Sequence, residues 1–120
     1  WRYANHPYLN YQFYQILCPK GLKGIVVARE ESREEICIVD VFADFKDITK
    51  VVKTFCSKAG YNRLYSLFVG EVLDKVFAGS GMYTHEYGSF FVGLSEDAEL
   101  NKLIESNSWC LFWGDSDKDR

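Results

Sequence analysis

The spacing of apolar residues changes character along the chain, and each change marks an element. Residues 11–17 are aromatic and β-branched in the manner of a strand. Pro19-Lys20-Gly21 follows as a turn, and residues 22–29 read as a second strand. The polar run Glu30-Glu31-Ser32-Arg33-Glu34 has the composition of a hairpin tip. Residues 35–42 then form a more continuously apolar third strand, the pattern of burial on both faces. Together these predict an antiparallel meander. At Asp44 the period changes. Ile48, Val51, Val52, Phe55, Cys56 and Ala59 recur at spacings of three and four, which puts one apolar face on a helix. Asp44 is placed to cap it, Asp47 falls in its first turn, and Gly60 stops it.

The later pattern alternates. A strand is expected over residues 63–69, and a short helix over 71–78 with Val72, Leu73, Val76 and Phe77 inward and Gly79 at its end. Another strand region, 83–94, is interrupted by Gly88. A helix over 97–106 follows, carried by Leu100, Leu103 and Ile104, and a last strand over 109–113. The order β-β-β-α-β-α-β-α-β predicts an α/β domain of the α+β mixed-sheet kind, antiparallel early and partly parallel later. No linker or repeat divides it, so residues 1–120 are expected to form one domain.

Composition narrows the function. The chain has 120 residues, 48% apolar and 17% aromatic, enough to build a core at this length. A net charge of −3, with both signs interspersed, leaves no basic stripe of the kind nucleic acid requires. The four cysteines, Cys18, Cys37, Cys56 and Cys110, are widely separated, and there are two histidines, His6 and His85. Close-spaced zinc ligands are therefore missing and no metal site is expected. Reduced thiols in apolar surroundings point to a cytoplasmic location. No apolar run approaches the roughly 20 residues of a membrane span, and no signal peptide is visible. With Trp1 at its start, the chain is expected to be a piece of a longer protein.

Three stretches carry a resemblance. Trp1-Arg2-Tyr3-Ala4-Asn5-His6-Pro7 precedes the first strand, Lys23-Gly24-Ile25-Val26-Val27 lies in the second, and Trp109-Cys110-Leu111-Phe112-Trp113-Gly114-Asp115-Ser116-Asp117 closes the sequence. With the element order, they resemble the GNAT superfamily of N-acyltransferases from its second strand onward, in a bacterial branch that often accompanies surface-polysaccharide synthesis. The resemblance implies a C-terminal portion, without the first strand and first two helices of a complete domain. It also implies acetyl-CoA or another acyl-CoA as cofactor, lying where the fold's fourth and fifth strands splay apart, with its pyrophosphate on the next helix N-terminus.

Transferred to this chain, the cofactor positions are Val41, Phe42, Ala43, Asp44, Phe45 and Lys46. The family's Arg/Gln-x-x-Gly-x-Gly/Ala signature is absent, and no glycine occurs between Gly24 and Gly60. Asp44 and Asp47 oppose a phosphate there, and Lys46 is the counter-charge. Amine acylation also needs a base and an acid. Asp40 and Glu35, on or beside the third strand, are candidate bases, and burial would raise the pKa of Asp40. Tyr65 and Tyr61 are candidate acids, and His85 and Glu86 candidates to line an acceptor pocket.

Two readings follow from this. One is an enzyme that moves an acyl group from acyl-CoA to a small-molecule amine, an amino-sugar precursor among the acceptors. The other is a non-catalytic binding or assembly module with a degenerate CoA site. An open cleft beside residues 40–46 favours the first, and a cleft filled by Phe42, Phe45 or Tyr65 the second. The aromatic run Tyr8, Tyr11, Phe13 and Tyr14 reads as core packing against the following helices, or as a sugar-stacking or interface surface. An unpaired sheet edge also invites a second copy of the chain.

Overall fold

A computed structural model describes residues 3–5, 8–83, 96–105 and 111–112. The elements are β1 (Tyr11–Cys18), β2 (Gly21–Ser32), β3 (Glu35–Ala43), α1 (Ile48–Lys58), β4 (Arg63–Ser66), β5 (Phe68–Val69), α2 (Glu71–Gly79), α3 (Ala98–Glu105) and β6 (Leu111–Phe112). The first four strands form one sheet in the order β1-β2-β3-β4, and β5 pairs with β6 in a second. The meander β1-β2-β3 is antiparallel, and β4 joins β3 in parallel through the α1 crossover. The result is the expected mixed sheet of an α+β fold.

The sheet has two unlike faces. One carries Val26, Ala28, Ile36, Ile38 and Val41, and α1 and α2 cover it with Ile48, Val51, Val52, Phe55, Leu73, Val76 and Phe77. The stripe on α1 is the three-and-four spacing of the sequence made solid. The helix ends where Ala59 N–H reaches the Phe55 carbonyl and Gly60 turns left-handed at φ 73°, a conformation only glycine adopts freely. The opposite face holds Tyr11, Val27, Cys37 and Val39, with Tyr3, Leu9 and Tyr65 packed against them.

The start of α1 differs from the expectation. Asp47, not Asp44, is the N-cap residue, and its side chain makes no capping bond. Residues 44–47 form a tight turn in which the Asp44 carbonyl accepts from Asp47 N–H and Ile48 N–H. The physical reason is that nothing apolar anchors an earlier helical turn: Phe45, the one apolar side chain there, is 71% exposed. The Asp47 carboxylate is drawn away to Lys23 Nζ at 2.9 Å. The second helix ends at Gly79 as expected, with Ser80 as C-cap and Gly81 left-handed beyond it. The strand expected over residues 63–69 is two strands in two sheets. That expected over 83–94 falls on positions outside the described residues, apart from Tyr83, which is not in a strand.

Candidate functional site

The site builds up at the carboxyl end of β3. Pairing between β3 and β4 runs only from Glu35 opposite Arg63 to Ile38 opposite Ser66. Beyond it β3 continues to Ala43, while β4 ends at Ser66 and its continuation turns at Leu67 into β5, which pairs with β6. The two parallel strands therefore part after their fourth rung. Ser66 Oγ donates to the Ile38 carbonyl at 2.9 Å and closes the last rung with a side chain. In α/β sheets the crevice beyond the carboxyl ends of parallel strands is the usual place for a ligand.

At the same point β3 is bulged. Val27 pairs with Asp40 but Ala28 with Ile38, so Val39 is an extra residue. The bulge turns Val39 and Asp40 to the same side of the sheet, away from the helices, an arrangement that re-aims a side chain. Asp40 meets the Tyr3 hydroxyl, which donates to Oδ2 at 2.8 Å, while Val41 N–H donates to Oδ1 at 2.8 Å. Both carboxylate oxygens are thus engaged at the point where the strands diverge.

The start of α1 closes this end. Among the described residues, no backbone carbonyl accepts from Thr49 N–H or Lys50 N–H, so the first turn presents donors and the positive end of its dipole. Lys46 stands exposed beside it, 3.9 Å from Asp44. Lys23 and Asp47 neutralise each other: the bond to Lys23 holds the Asp47 carboxyl below its ordinary 3.8, and the same bond raises the Lys23 ammonium. An anionic cofactor fits this end in its open amides and β3 edge. It fits less well in the loop, where Asp44, Phe45 and Lys46 stand in place of glycines. Phe42 is 53% exposed, on the side of the sheet opposite the helices, and Phe45 is exposed in the loop.

The other sequence candidates are distributed around this point. Val41 is buried under the helices and Ala43 packs at their edge. Glu35 lies at the far end of β3, paired with Arg63 at 3.1 Å. Five residues of strand, about 16 Å, separate it from Asp40, so the two carboxylates do not share a site. Tyr65 sits opposite Cys37, about 10 Å along the strand from Asp40. Its phenol is pushed up to about 12, by burial first and then by Cys37, Glu31 and Glu35. It is therefore a neutral hydrogen-bond donor across the physiological range. Tyr61 packs on the helix-covered face. Tyr14 points to that face too, edge-on to Phe55 at 5.0 Å between ring centres, which separates it from Tyr8, Tyr11 and Phe13 along a groove of about 410 Å³.

His85, Glu86 and Cys110 lie outside the described residues, as do most positions of the opening and closing motifs. Among the described residues, Cys18, Cys37 and Cys56 form no disulfide. Among the described residues no three potential metal ligands converge, and no helix is long and apolar enough to cross a membrane.

Sequence reasoning missed Tyr3, Lys23 and Ser66. Each acts on a residue far along the chain, and only the fold makes them neighbours. Compared with known proteins, the chain matches no family model, no curated protein and no solved structure.

Proposed function

We propose that the chain is a GNAT-like acyl-CoA-dependent N-acyltransferase domain acting on a small-molecule amine, with an amino-sugar precursor as the acceptor class and the cytoplasm as its location. The observation that carries this reading is the parting of β3 and β4 after Ile38 and Ser66, with α1 opening at the same end. When bound, acyl-CoA would supply an activated thioester whose carbonyl carbon the amine attacks, the C–N bond forming as the C–S bond breaks and CoA leaving as a thiolate that takes a proton from water. Thr49 N–H, Lys50 N–H and Lys46 hold negative charge at the helix start. The β3 edge past its last rung with β4 offers backbone groups for an extended ligand, apart from Val41 N–H, which Asp40 Oδ1 already holds. Asp40 takes the amine proton, and Tyr3 fixes the orientation of its carboxylate.

Calorimetric titration with acetyl-CoA tests this. Saturable binding is expected, weakened about tenfold by Lys46→Ala, a loss of about 1.4 kcal/mol. Asp40→Asn is expected to abolish turnover while binding survives. A folded protein that takes up no acetyl-CoA sinks the reading.

A second reading, a non-catalytic binding or assembly module, draws on a different observation. The loop over residues 43–47 has no glycine, and Asp44 and Asp47 flank the point where a phosphate would sit. It gains if the protein is folded and acetyl-CoA does not bind.

A further inference from the structure

We infer that the exposed lysine face of α1 docks an acidic carrier protein, which presents the acyl group on a phosphopantetheine arm in preference to free acyl-CoA. The inference rests on the acyl-transfer reading and concerns only what carries the donor. Over the whole chain acids outnumber bases and the net charge is −3. Yet α1 contains three lysines and no acid. Its apolar stripe, Ile48, Val51, Val52 and Phe55, is buried. Lys50 and Lys53, with Lys46 ahead of them at helical spacing, therefore share the outward face, and Lys58 lies on its flank. All four are exposed. Among the described residues Lys50, Lys53 and Lys58 form no ion pair. Asp47, the acid just ahead of the helix, is already held by Lys23 at 2.9 Å.

Charge complementarity selects a partner with an acidic surface, and the site at the head of the same helix selects what that partner carries. Free acyl-CoA brings a pyrophosphate and a ribose phosphate to a loop that has no glycine and holds Asp44 and Asp47. A carrier's arm bears the same acyl-pantetheine thioester through a single phosphodiester, with no nucleotide. It therefore places at the helix start only the one anion that Thr49 N–H, Lys50 N–H and Lys46 hold. The lysines continue from that point, Lys53 about 8 Å and Lys58 about 15 Å along the axis from Ile48. A phosphate at the first turn leaves their far end without an anion, and the body of an acidic carrier supplies it. The transfer itself is unchanged. The C–N bond forms as the C–S bond breaks, Asp40 takes the amine proton, and the arm leaves as a thiolate that takes a proton from water.

The test is calorimetry on the whole chain with an acyl carrier protein of fatty-acid synthesis, acetylated on its arm, beside acetyl-CoA. The acetylated carrier is expected to bind about tenfold more tightly than acetyl-CoA, an advantage that shrinks as salt is added. Lys53→Gln combined with Lys58→Gln, both at exposed positions, is expected to remove that advantage while acetyl-CoA binding stays within about twofold. The carrier without its arm is expected to bind more weakly and through the same lysines. Circular dichroism of the variant separates loss of docking from loss of fold. A folded chain that binds neither ligand sinks the acyl-transfer reading and this inference with it. Saturable binding of acetyl-CoA with no gain from the carrier overturns the inference alone, as does a carrier indifferent to both substitutions. A DNA duplex bound as tightly as the carrier, and lost with the same lysines, marks a general polyanion surface and overturns it too.

Discussion

Gly24 shows how a single residue without a side chain sets the join of sheet and helix. A Cβ there would lie 2.9 Å from the Phe42 carbonyl oxygen, 2.9 Å from Val51 Cγ2 and 3.0 Å from Ala43 Cβ. The valine could shift, but the carbonyl belongs to the β3 backbone and cannot move without disturbing the ladder. The position thus lets α1 lie directly on the end of β2, and the neighbouring Lys23 ties the same helix through Asp47. Overpacking of this kind costs about 1–3 kcal/mol. Gly24→Ala is expected to lose unfolding free energy by that margin, read as a lower urea midpoint with an unchanged denaturant slope. Equal stability of the two proteins would show that the helix can stand off the strand without penalty.

At the scale of elements, sequence and structure agree where burial is one-sided and local. The meander, α1 and α2 follow from period-two and period-three-to-four patterns that each segment carries within itself. The disagreement is concentrated at the site. The apolar run 63–69 looks uniform, yet Ser66 is the last residue of one sheet and Phe68 the first of another. No local signal distinguishes them, because what separates the strands is that β6 competes for β5 from far along the chain. The bulge at Val39 is hidden in the same way: an extra residue is visible only against its partner strand. Asp40 was legible as a polar interruption in an apolar run, but its Tyr3 partner, 37 positions away, was not. Ser66 offers a measurable check on this junction. Ser66→Ala removes the hydroxyl from the Ile38 carbonyl and should cost about 1 kcal/mol, with faster hydrogen exchange concentrated at the β3–β4 rungs. Unchanged exchange there would mean that the serine is a bystander to the parting of the strands.

The whole molecule depends on keeping both faces of one sheet covered, and a tyrosine contributes on each. Tyr14 packs against Phe55 under the helices, and Tyr65 packs with the cluster of Val27, Cys37 and Val39 on the other side. Burial is the leading cause that pushes each phenol from its ordinary 10.0 to about 12, helped at Tyr14 by the Tyr61 hydroxyl and the charge of Glu30. The linkage has a definite sign. The folded chain holds these two protons more tightly than the unfolded chain, so stability falls as pH rises wherever the unfolded phenols ionise first. Their contribution is complete below pH 10, the unfolded value, and is lost between pH 10 and about 12. Both side chains are only partly buried, so solvent screening makes the loss gradual. Circular dichroism followed from neutral pH upward should show unfolding within that window. Tyr14→Phe and Tyr65→Phe, which keep the rings and remove the ionisable hydroxyls, should each flatten the alkaline limb, and the double variant should flatten it further. The comparison rests on the pH dependence rather than on absolute stability, because each substitution also removes a hydroxyl from the fold. An alkaline limb unchanged in the double variant would assign the transition to other groups and leave the two tyrosines as packing alone.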